Sequence, residues 1–337
     1  MEQIDSIAQA AKDGDVSAMT ALGKRKLAEA AKTGVRTLEE GYELLQAAAG
    51  KGSAEADYFI SLIDGIFAKE QHEWSLALAH LRRSAERGWQ SARQQLCLLA
   101  TDRELAAAAL SGQCDDDVWE KLRATIDIAA LLASPAATEI SQTPRIKIIE
   151  GFASTAECAW MIEQSRGRIE YARVFEPATG MNRIDNLVRT NGHAWFDILD
   201  ANFVLMLLRA RIALATGSAR PSLEPTSVMH YAGGQKFAEH ADWYDATEPH
   251  GAAQIRLHGQ RVATFLLYLN DGFEGAETEF PLIGWRYKGA PGDALFFMNV
   301  DEAGKADRLT RHTGLPPTSG EKWLLSQWIR GVPGVGL

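Results

Sequence analysis

The stretch Tyr231-Ala-Gly-Gly-Gln-Lys-Phe237-Ala-Glu-His240-Ala-Asp242 decides how this chain is read. It ends in His-x-Asp. In an extended strand, residues i and i+2 project to the same side, so one imidazole and one carboxylate converge without help from the rest of the fold. They are two of the three ligands of a facial 2-His-1-carboxylate metal site. A lone His-x-Asp is most often a surface pair on an edge strand. This one is followed by a second His, a Lys, and spaced Gly and aromatic residues.

The neighbouring segments share its texture. Short β-type runs, Thr226–Tyr231, Phe237–Tyr244, Arg261–Leu269, Glu277–Phe280, Ala294–Met298 and Lys322–Ile329, alternate with Gly, Pro and Asp. Such spacing predicts an antiparallel sandwich or jelly roll. Ahead of it, Ile146–Phe152 reads as a strand entering a turn. Ser154 with Glu157 makes a capping box for a helix through Glu163, and Asp200–Thr216 is a strongly apolar helix. These helices should brace one face of the strands. Residues 173–188 carry turn formers and little pattern and are expected to form a mobile loop.

Residues 1–135 differ. They are rich in Ala, Leu, Glu, Lys and Arg, with helical spacing of apolar residues and no Pro before Pro135. They also repeat. Gly14-Asp-Val-Ser-Ala18, Gly52-Ser-Ala-Glu-Ala56 and Gly88-Trp-Gln-Ser-Ala92 are followed by Leu22, Ile60 and Leu96. Leu45 and Ala49 before the second glycine match Leu81 and Ala85 before the third. Each glycine should end a helix in the left-handed conformation, and each alanine should let the next helix pack closely. Units of this kind bury their apolar faces only by stacking, which predicts a short solenoid. Asp115 to Asp117 are expected as capping and macrodipole residues of a later helix, not as a metal site. Within Leu131–Pro144, residues 136–143 read as the linker, leaving 144–337 as the second domain. The fold class is therefore α+β, with an α-helical repeat followed by a double-stranded β-helix with bracing helices.

The totals set bounds. At 337 residues, two domains are expected. A formal net charge of -9 argues against a non-specific nucleic-acid binder. Cys97, Cys114 and Cys158 form no C-x-x-C pair, and free buried thiols in a reducing compartment are expected. The N-terminus lacks a basic segment followed by an apolar core, and no apolar run is long enough to span a bilayer. A cytoplasmic protein without nucleic-acid or membrane partners is the expectation.

Six histidines fall in the second domain: His193, His230, His240, His250, His258 and His312. His230 reads as a core or surface residue, and His250 and His258 as solvated residues of a connection. His312 follows an apolar strand and a loop. After it, a turn with Pro316, Pro317 and Gly320 should fold the Lys322 strand back beside the His312 segment, with Lys322 deeper in the same barrel. Two imidazoles and a carboxylate on one face of Fe(II) leave three open positions. A 2-oxo acid can occupy two of them and O2 the third. Its distal carboxylate needs a buried cation, which Lys322 can provide.

From about Pro144 to Pro333 the chain resembles the prolyl 4-hydroxylase branch of the Fe(II)/2-oxoglutarate dioxygenases. The matching pieces are Arg189-Thr190; Tyr231-x-x-Gly234-x-x-Phe237-x-x-His240-x-Asp242; Gln260-Arg261-x-x-Thr264 with Tyr268-Leu-Asn; Gly275-Ala-Glu277-Thr278-Glu-Phe-Pro281; Pro291-Gly-Asp-Ala-Leu-Phe-Phe297; and His312-x-Gly314 with Gly320-Glu-Lys322-Trp323 and Trp328-Ile-Arg330. The resemblance implies that His240, Asp242 and His312 bind iron. It implies that Lys322 pairs with the distal carboxylate of 2-oxoglutarate, helped by Tyr231, Thr278 and, more weakly, Thr264. It places Arg261 and Trp328 on the substrate side and makes 173–188 a lid over a peptide. Arg189 has a competing role as a structural ion-pair residue, Trp323 and Trp328 as core, and Gly234 and Gly275 as turn residues.

The cofactors implied are Fe(II), 2-oxoglutarate and O2, with ascorbate as an accessory. The reaction implied is that of a procollagen-proline 4-dioxygenase-like hydroxylase, with release of succinate and CO2. The N-terminal third resembles tetratricopeptide-like repeats of the SEL type, which implies recruitment of a protein or peptide partner; capping or dimerising the enzyme is the competing role. Two departures stand out. Ala276 replaces the second Gly of the family's Gly-Gly-Glu-Thr. Phe237 stands where Tyr is frequent, three before the first His, which weakens the assignment of substrate. Two other readings stay open: a binding module whose oxygenase domain senses oxygen or 2-oxoglutarate, and a hydroxylase of a free amino acid or other small molecule.

Overall fold

The computed structural model describes residues 2–33, 35–113, 115, 117–172, 174–176, 181–183, 185 and 187–331. The chain divides into two compact units, Met1–Ala133 with Asp197–Leu208, and Ser134–Phe196 with Arg209–Leu337.

The first unit is helical: α1 (Glu2–Lys12), α2 (Val16–Thr33), α3 (Val35–Gly50), α4 (Ala54–Phe67), α5 (Gln71–Glu86), α6 (Gln90–Leu99), α7 (Arg103–Ser111), α8 (Val118–Ala124) and α9 (Ile128–Leu132). The three repeating glycines adopt nearly one conformation, with φ of +92, +96 and +97° at Gly14, Gly52 and Gly88. Each sits in the same turn. The amides of Gly14, Gly52 and Gly88 donate to Ala11, Ala49 and Ala85, and the next amide reaches back to Ala10, Ala48 or Ser84. Ala56 and Ala92, four residues on, are fully buried. Leu45, Trp74, Leu81 and Leu96 fill the interior, and burying each such side chain contributes about 1.5–3 kcal/mol. Asp57, with no exposed surface, is neutralised by Arg83 and Arg87 and lies 2.8 Å from His80 Nδ1. Asp116 lies outside the described residues. Asp117 occupies the position before α8 but makes no capping bond. Its ψ of 2° departs from the extended cap conformation, and its carboxylate pairs instead with Lys121 at 2.7 Å.

The strands of the second unit are β1 (Thr138–Gln142), β2 (Arg145–Ile149), β3 (Glu170–Tyr171), β4 (Val174–Glu176), β5 (Met181–Arg183), β6 (Gly192–Phe196), β7 (Thr226–Tyr231), β8 (Phe237–His240), β9 (Arg261–Tyr268), β10 (Phe273–Gly275), β11 (Thr278–Phe280), β12 (Trp285–Tyr287), β13 (Ala294–Met298), β14 (His312–Gly314), β15 (Pro317–Gly320) and β16 (Lys322–Arg330). Its helices are α10 (Thr155–Arg166), α11 (Phe203–Thr216), which counts with the first unit through Leu208, and α12 (Pro249–His258).

Eight strands form one sheet in the order β1-β2-β13-β9-β16-β7-β6-β3, and four form a second in the order β12-β11-β14-β8. Side chains alternate between the faces of a strand. Ile146, Met229, Leu266, Phe297 and Leu324 of the large sheet therefore meet Phe280, Phe237 and Trp285 of the small one in a shared core. This is the expected jelly roll. The capping box is present: Ser154 Oγ accepts from the Glu157 amide, and Glu157 accepts from the Ser154 amide. Arg211 of α11 ties the two bracing helices together through Glu157 at 2.9 Å.

Three expectations change. The segment 136–143 contains β1, antiparallel to β2 at the edge of the large sheet. Its side chains are almost all exposed, so no apolar alternation marks it. The connection carrying His250 and His258 is helix α12, started by Pro249 and ended at Gly259 with φ +79°. The turn after His312 does not lay the Lys322 strand beside β14. β15 pairs with β10, and β16 inserts between β7 and β9 of the opposite sheet. Of the mobile-loop and lid segment 173–188, residues 173, 177–180, 184 and 186 lie outside the described residues; within it, β4 pairs with β5. Cys97 and Cys158 are buried and form no disulfide among the described residues, and Cys114 is outside the described residues. Among the described residues, no helix is long and apolar enough to cross a membrane.

Candidate active site

β8 and β14 are antiparallel neighbours, and their pairing sets His240 directly opposite His312. Asp242 lies two residues past the end of β8, in a bend and not on the strand. The three side chains still converge: one ligand atom from each of His240, Asp242 and His312 lies within 4.8 Å of the others. His240 Nδ1 bonds to the Ala238 carbonyl at 2.9 Å and His312 Nδ1 to the Thr310 carbonyl at 3.0 Å. These carbonyls fix the proton on Nδ1 and leave both Nε2 lone pairs free, the usual outer support of a metal-binding histidine. Each Nε2 stands 3.7 Å from an Asp242 oxygen, too far for a hydrogen bond and with room for an ion between them.

Electrostatics keep this donor set ready. Burial, reinforced by His312, pushes the His240 imidazole down to about 3, so it is neutral. Burial alone would raise the Asp242 carboxyl. The His312 and His240 imidazoles and the Thr264 hydroxyl outweigh it and hold Asp242 below the usual carboxylate range. Two imidazoles held through Nδ1 and a carboxylate, with their remaining ligand atoms facing one another, fit Fe(II).

The same pocket is lined by Lys322, Tyr231 and Thr278 together with the three ligand candidates. Lys322 is 1% exposed. Its Nζ donates to the Ala276 carbonyl at 2.7 Å and lies 3.5 Å from Thr278 Oγ1. No carboxylate among the described residues forms an ion pair with it, and burial pushes its ammonium down to about 7. Burial pushes the Tyr231 phenol up to about 12, so it stays a donor. Thr278 Oγ1 is also within 2.8 Å of Tyr268 Oη. Gly314 leaves this corner open, because a Cβ there would stand 3.0 Å from Tyr231 Oη. The corner therefore offers a cation and hydroxyl donors without an anion of its own.

Other candidates lie elsewhere. Thr264 is committed to the metal side, not to the Lys322 corner. Its Oγ1 donates to Asp242 Oδ2 at 2.6 Å and accepts from Asn299 Nδ2 at 2.9 Å. Its row on β9 faces Trp328 and Phe297, away from the row of Lys322. Arg261 is clamped by Glu224 at 2.7 and 2.9 Å and covers the Trp328 ring at 3.6 Å. Trp328 lines the pocket, whereas Trp323 stacks with His230, which bonds Glu321 at 2.8 Å. Among the described residues Arg189 makes no ion pair: its guanidinium covers Phe237 at 4.3 Å and its Nε donates to Asn191. Phe237 in turn stacks on His240 at 3.5 Å. Asn299 was not foreseen; its only mark in the sequence is a polar residue directly after the apolar β13. Ala276 takes φ +57°, the one non-glycine residue with positive φ among those described.

The site residues lie in a region that matches known proteins in sequence. Residues 226–330 match the family model of the 2OG-Fe(II) oxygenase superfamily. The chain is similar to probable prolyl 4-hydroxylase 7 of Arabidopsis thaliana, 30% identical over 210 residues, which cover 57% of this chain and 64% of that protein. It is also similar to prolyl 4-hydroxylase 13 of Arabidopsis thaliana, 31% identical over 211 residues, covering 57% of this chain and 73% of that one. A solved structure, the viral collagen prolyl hydroxylase of Paramecium bursaria Chlorella virus-1 in its 2OG complex, is 26% identical with a TM-score of 0.42, covering 56% of this chain and 96% of that one. With a complete His-Asp-His set in the matched region, the chain belongs to the 2OG-Fe(II) oxygenase superfamily, among the relatives of the prolyl 4-hydroxylases.

Proposed function

We propose that this protein is an Fe(II)- and 2-oxoglutarate-dependent dioxygenase that hydroxylates a prolyl residue in a protein or peptide. The observation that carries the reading is a single pocket lined both by His240, Asp242 and His312 and by a buried Lys322 that pairs with no carboxylate among the described residues. His240, Asp242 and His312 hold the iron. Lys322, with Tyr231 and Thr278, receives the distal carboxylate of 2-oxoglutarate. When bound, iron and cosubstrate activate O2, so that cleavage of the oxo acid to succinate and CO2 leaves one oxygen atom on the substrate carbon. Thr264 and Asn299 orient Asp242, the Ala238 and Thr310 carbonyls orient the two imidazoles, and the apolar walls Met229, Leu266 and Leu324 exclude water.

The prolyl substrate is supported by the names of the relatives. Phe237 gives the pocket no hydroxyl at that position, so a substrate contact there is apolar. The helical unit reads as a tetratricopeptide-like array of the SEL type that recruits the substrate protein, and ascorbate is an accessory reductant. The test is iron-dependent succinate release with a mass gain of one oxygen on a proline-containing peptide. Absence of 2-oxoglutarate turnover with Fe(II) under every substrate, including the uncoupled reaction, refutes the enzyme reading. A KM for the intact substrate protein no lower than for its peptide refutes recruitment.

A further inference from the structure

The rim of the pocket carries an imidazole with no part in the chemistry above. His193 lies on β6, next to β7, with its register partner at Met229; Met229 in turn faces Leu324 of β16. His193 therefore shares the sheet face of two pocket-lining residues, one strand outward from Met229. The next residue on that face of β6 is Trp195, 38% exposed, whose ring lies 5.9 Å from that of Trp328.

The tautomer of His193 follows from its partner. Trp195 Nε1 lies 3.0 Å from His193 Nε2. An indole nitrogen only donates, so Nε2 must accept. Burial, with the nearby Arg189 guanidinium adding to it, holds the imidazole neutral, its pKa near 4. The remaining proton is then on Nδ1. That nitrogen is buried and has no hydrogen-bond partner. Trp328 Nε1, also buried, has none either. Arg189, 7% exposed, gives its Nε to Asn191. His193 Nδ1 and Trp328 Nε1 are thus two buried donors without an acceptor, beside an aromatic surface. Buried donors without acceptors are costly and uncommon.

A substrate that satisfies such a rim brings acceptors and no donors. A chain of consecutive prolines does this: it lacks backbone N–H groups and keeps every carbonyl free in the extended polyproline II form. Its pyrrolidine rings suit an aromatic-lined surface such as Trp195 and Trp328.

We propose that His193 is a substrate-binding residue whose Nδ1–H donates to a backbone carbonyl of the bound peptide, and that Trp195 is the positioning residue that fixes this tautomer. The proposal rests on the peptidyl-prolyl reading above and adds the residue that selects a carbonyl-rich segment.

The test uses the full chain and a poly-L-proline decamer. In the Zn(II)-loaded, 15N-histidine-labelled protein, long-range 1H–15N spectra assign the tautomer of each imidazole. His193 is expected as Nδ1–H in the free protein, with its resonance shifting when the decamer is added. In the Fe(II) enzyme, His193→Phe should raise the KM for the decamer about tenfold, the loss of one buried hydrogen bond, with a smaller change in kcat. Trp195→Phe should release the tautomer to Nε2–H and raise KM by less. An Nε2–H tautomer in the free wild-type protein overturns the proposal. So does a wild-type KM in a folded His193→Phe variant, or a resonance that ignores a decamer the enzyme turns over. A wild-type enzyme that hydroxylates no proline peptide fails the prolyl reading and takes the peptide ligand of His193 with it, whereas the enforced tautomer is decided by the spectrum of the free protein.

Discussion

Replacing Lys322 by Met should make the protein more stable and nearly blind to its cosubstrate. The fold lowers the Lys322 pKa from 10.5 to about 7. Each unit corresponds to ~1.4 kcal/mol, so at or below pH 7 the buried ammonium costs roughly 4–5 kcal/mol relative to the unfolded chain. Removing it also removes the donor to the Ala276 carbonyl, a loss of about 1–3 kcal/mol. The net gain is about 2 kcal/mol, or roughly 4–8 °C in the melting of a unit this size. The sign with pH follows. Because the folded pKa lies below the unfolded one, the unfolded chain holds more protons between pH 7 and 10.5, and wild-type stability rises across that window. The advantage of Lys322→Met should therefore shrink as pH rises from about 7 towards 10. Without the ammonium, a buried cosubstrate carboxylate loses its charge partner, about 3–5 kcal/mol, so the 2-oxoglutarate Kd should weaken by roughly two to four orders of magnitude. Wild-type affinity should itself fall about tenfold per pH unit above pH 7, as the free lysine deprotonates. Thermal melts of the cosubstrate-free protein and anaerobic titration calorimetry measure both quantities. A variant less stable than wild type at pH 7 that still binds 2-oxoglutarate normally would refute the reasoning.

Other changes test other parts. Thr264→Val removes the hydroxyl that holds Asp242 and should weaken iron binding about 10–100-fold, read by metal competition, with 2-oxoglutarate affinity changed far less. Ala276→Gly relieves the left-handed conformation of Ala276 and should raise stability by about 0.5–1 kcal/mol, read as a higher melting temperature. In the helical unit, Gln95→Ala removes the Oε1 that accepts from the amides of Phe203 and Val204 at the start of α11. This should cost about 1–3 kcal/mol and speed amide exchange at those two positions.

The metal set was legible because its ingredients are local: a spacing of two residues, and a second histidine after an apolar strand. Lys322 was legible through the turn of Pro316, Pro317 and Gly320 before it and the motif Gly320-Glu-Lys322-Trp323, although its neighbours were not. Strand order cannot be read from the chain, so β16 was placed beside β14 when it belongs to the opposite sheet. The same gap explains Thr264. The resemblance puts it with Lys322, but its row along β9 sets it against Asp242 instead. Arg261 and Arg189 carry charge, but their partners, Glu224 and the Phe237 ring, are set by tertiary packing. β1 escaped because an exposed edge strand needs no apolar alternation. The Gly14, Gly52 and Gly88 turns were legible because a left-handed turn demands glycine wherever the fold places it.

The pairing of His240 with His312 has one more consequence. β8 is a four-residue strand at the edge of its sheet, and its last residue is the one that faces His312. An ion held by both histidines spans two strands and acts as a clasp on the end of β8. Binding energy is then also folding energy: at a thousandfold excess over Kd, it adds about 4 kcal/mol to the folded state. Iron loss should be felt as fraying at residues 239–242 before any other part of the sheet loosens. The centre that performs the oxidation thus doubles as the fastener of its own barrel, and iron content and edge-strand order rise and fall together.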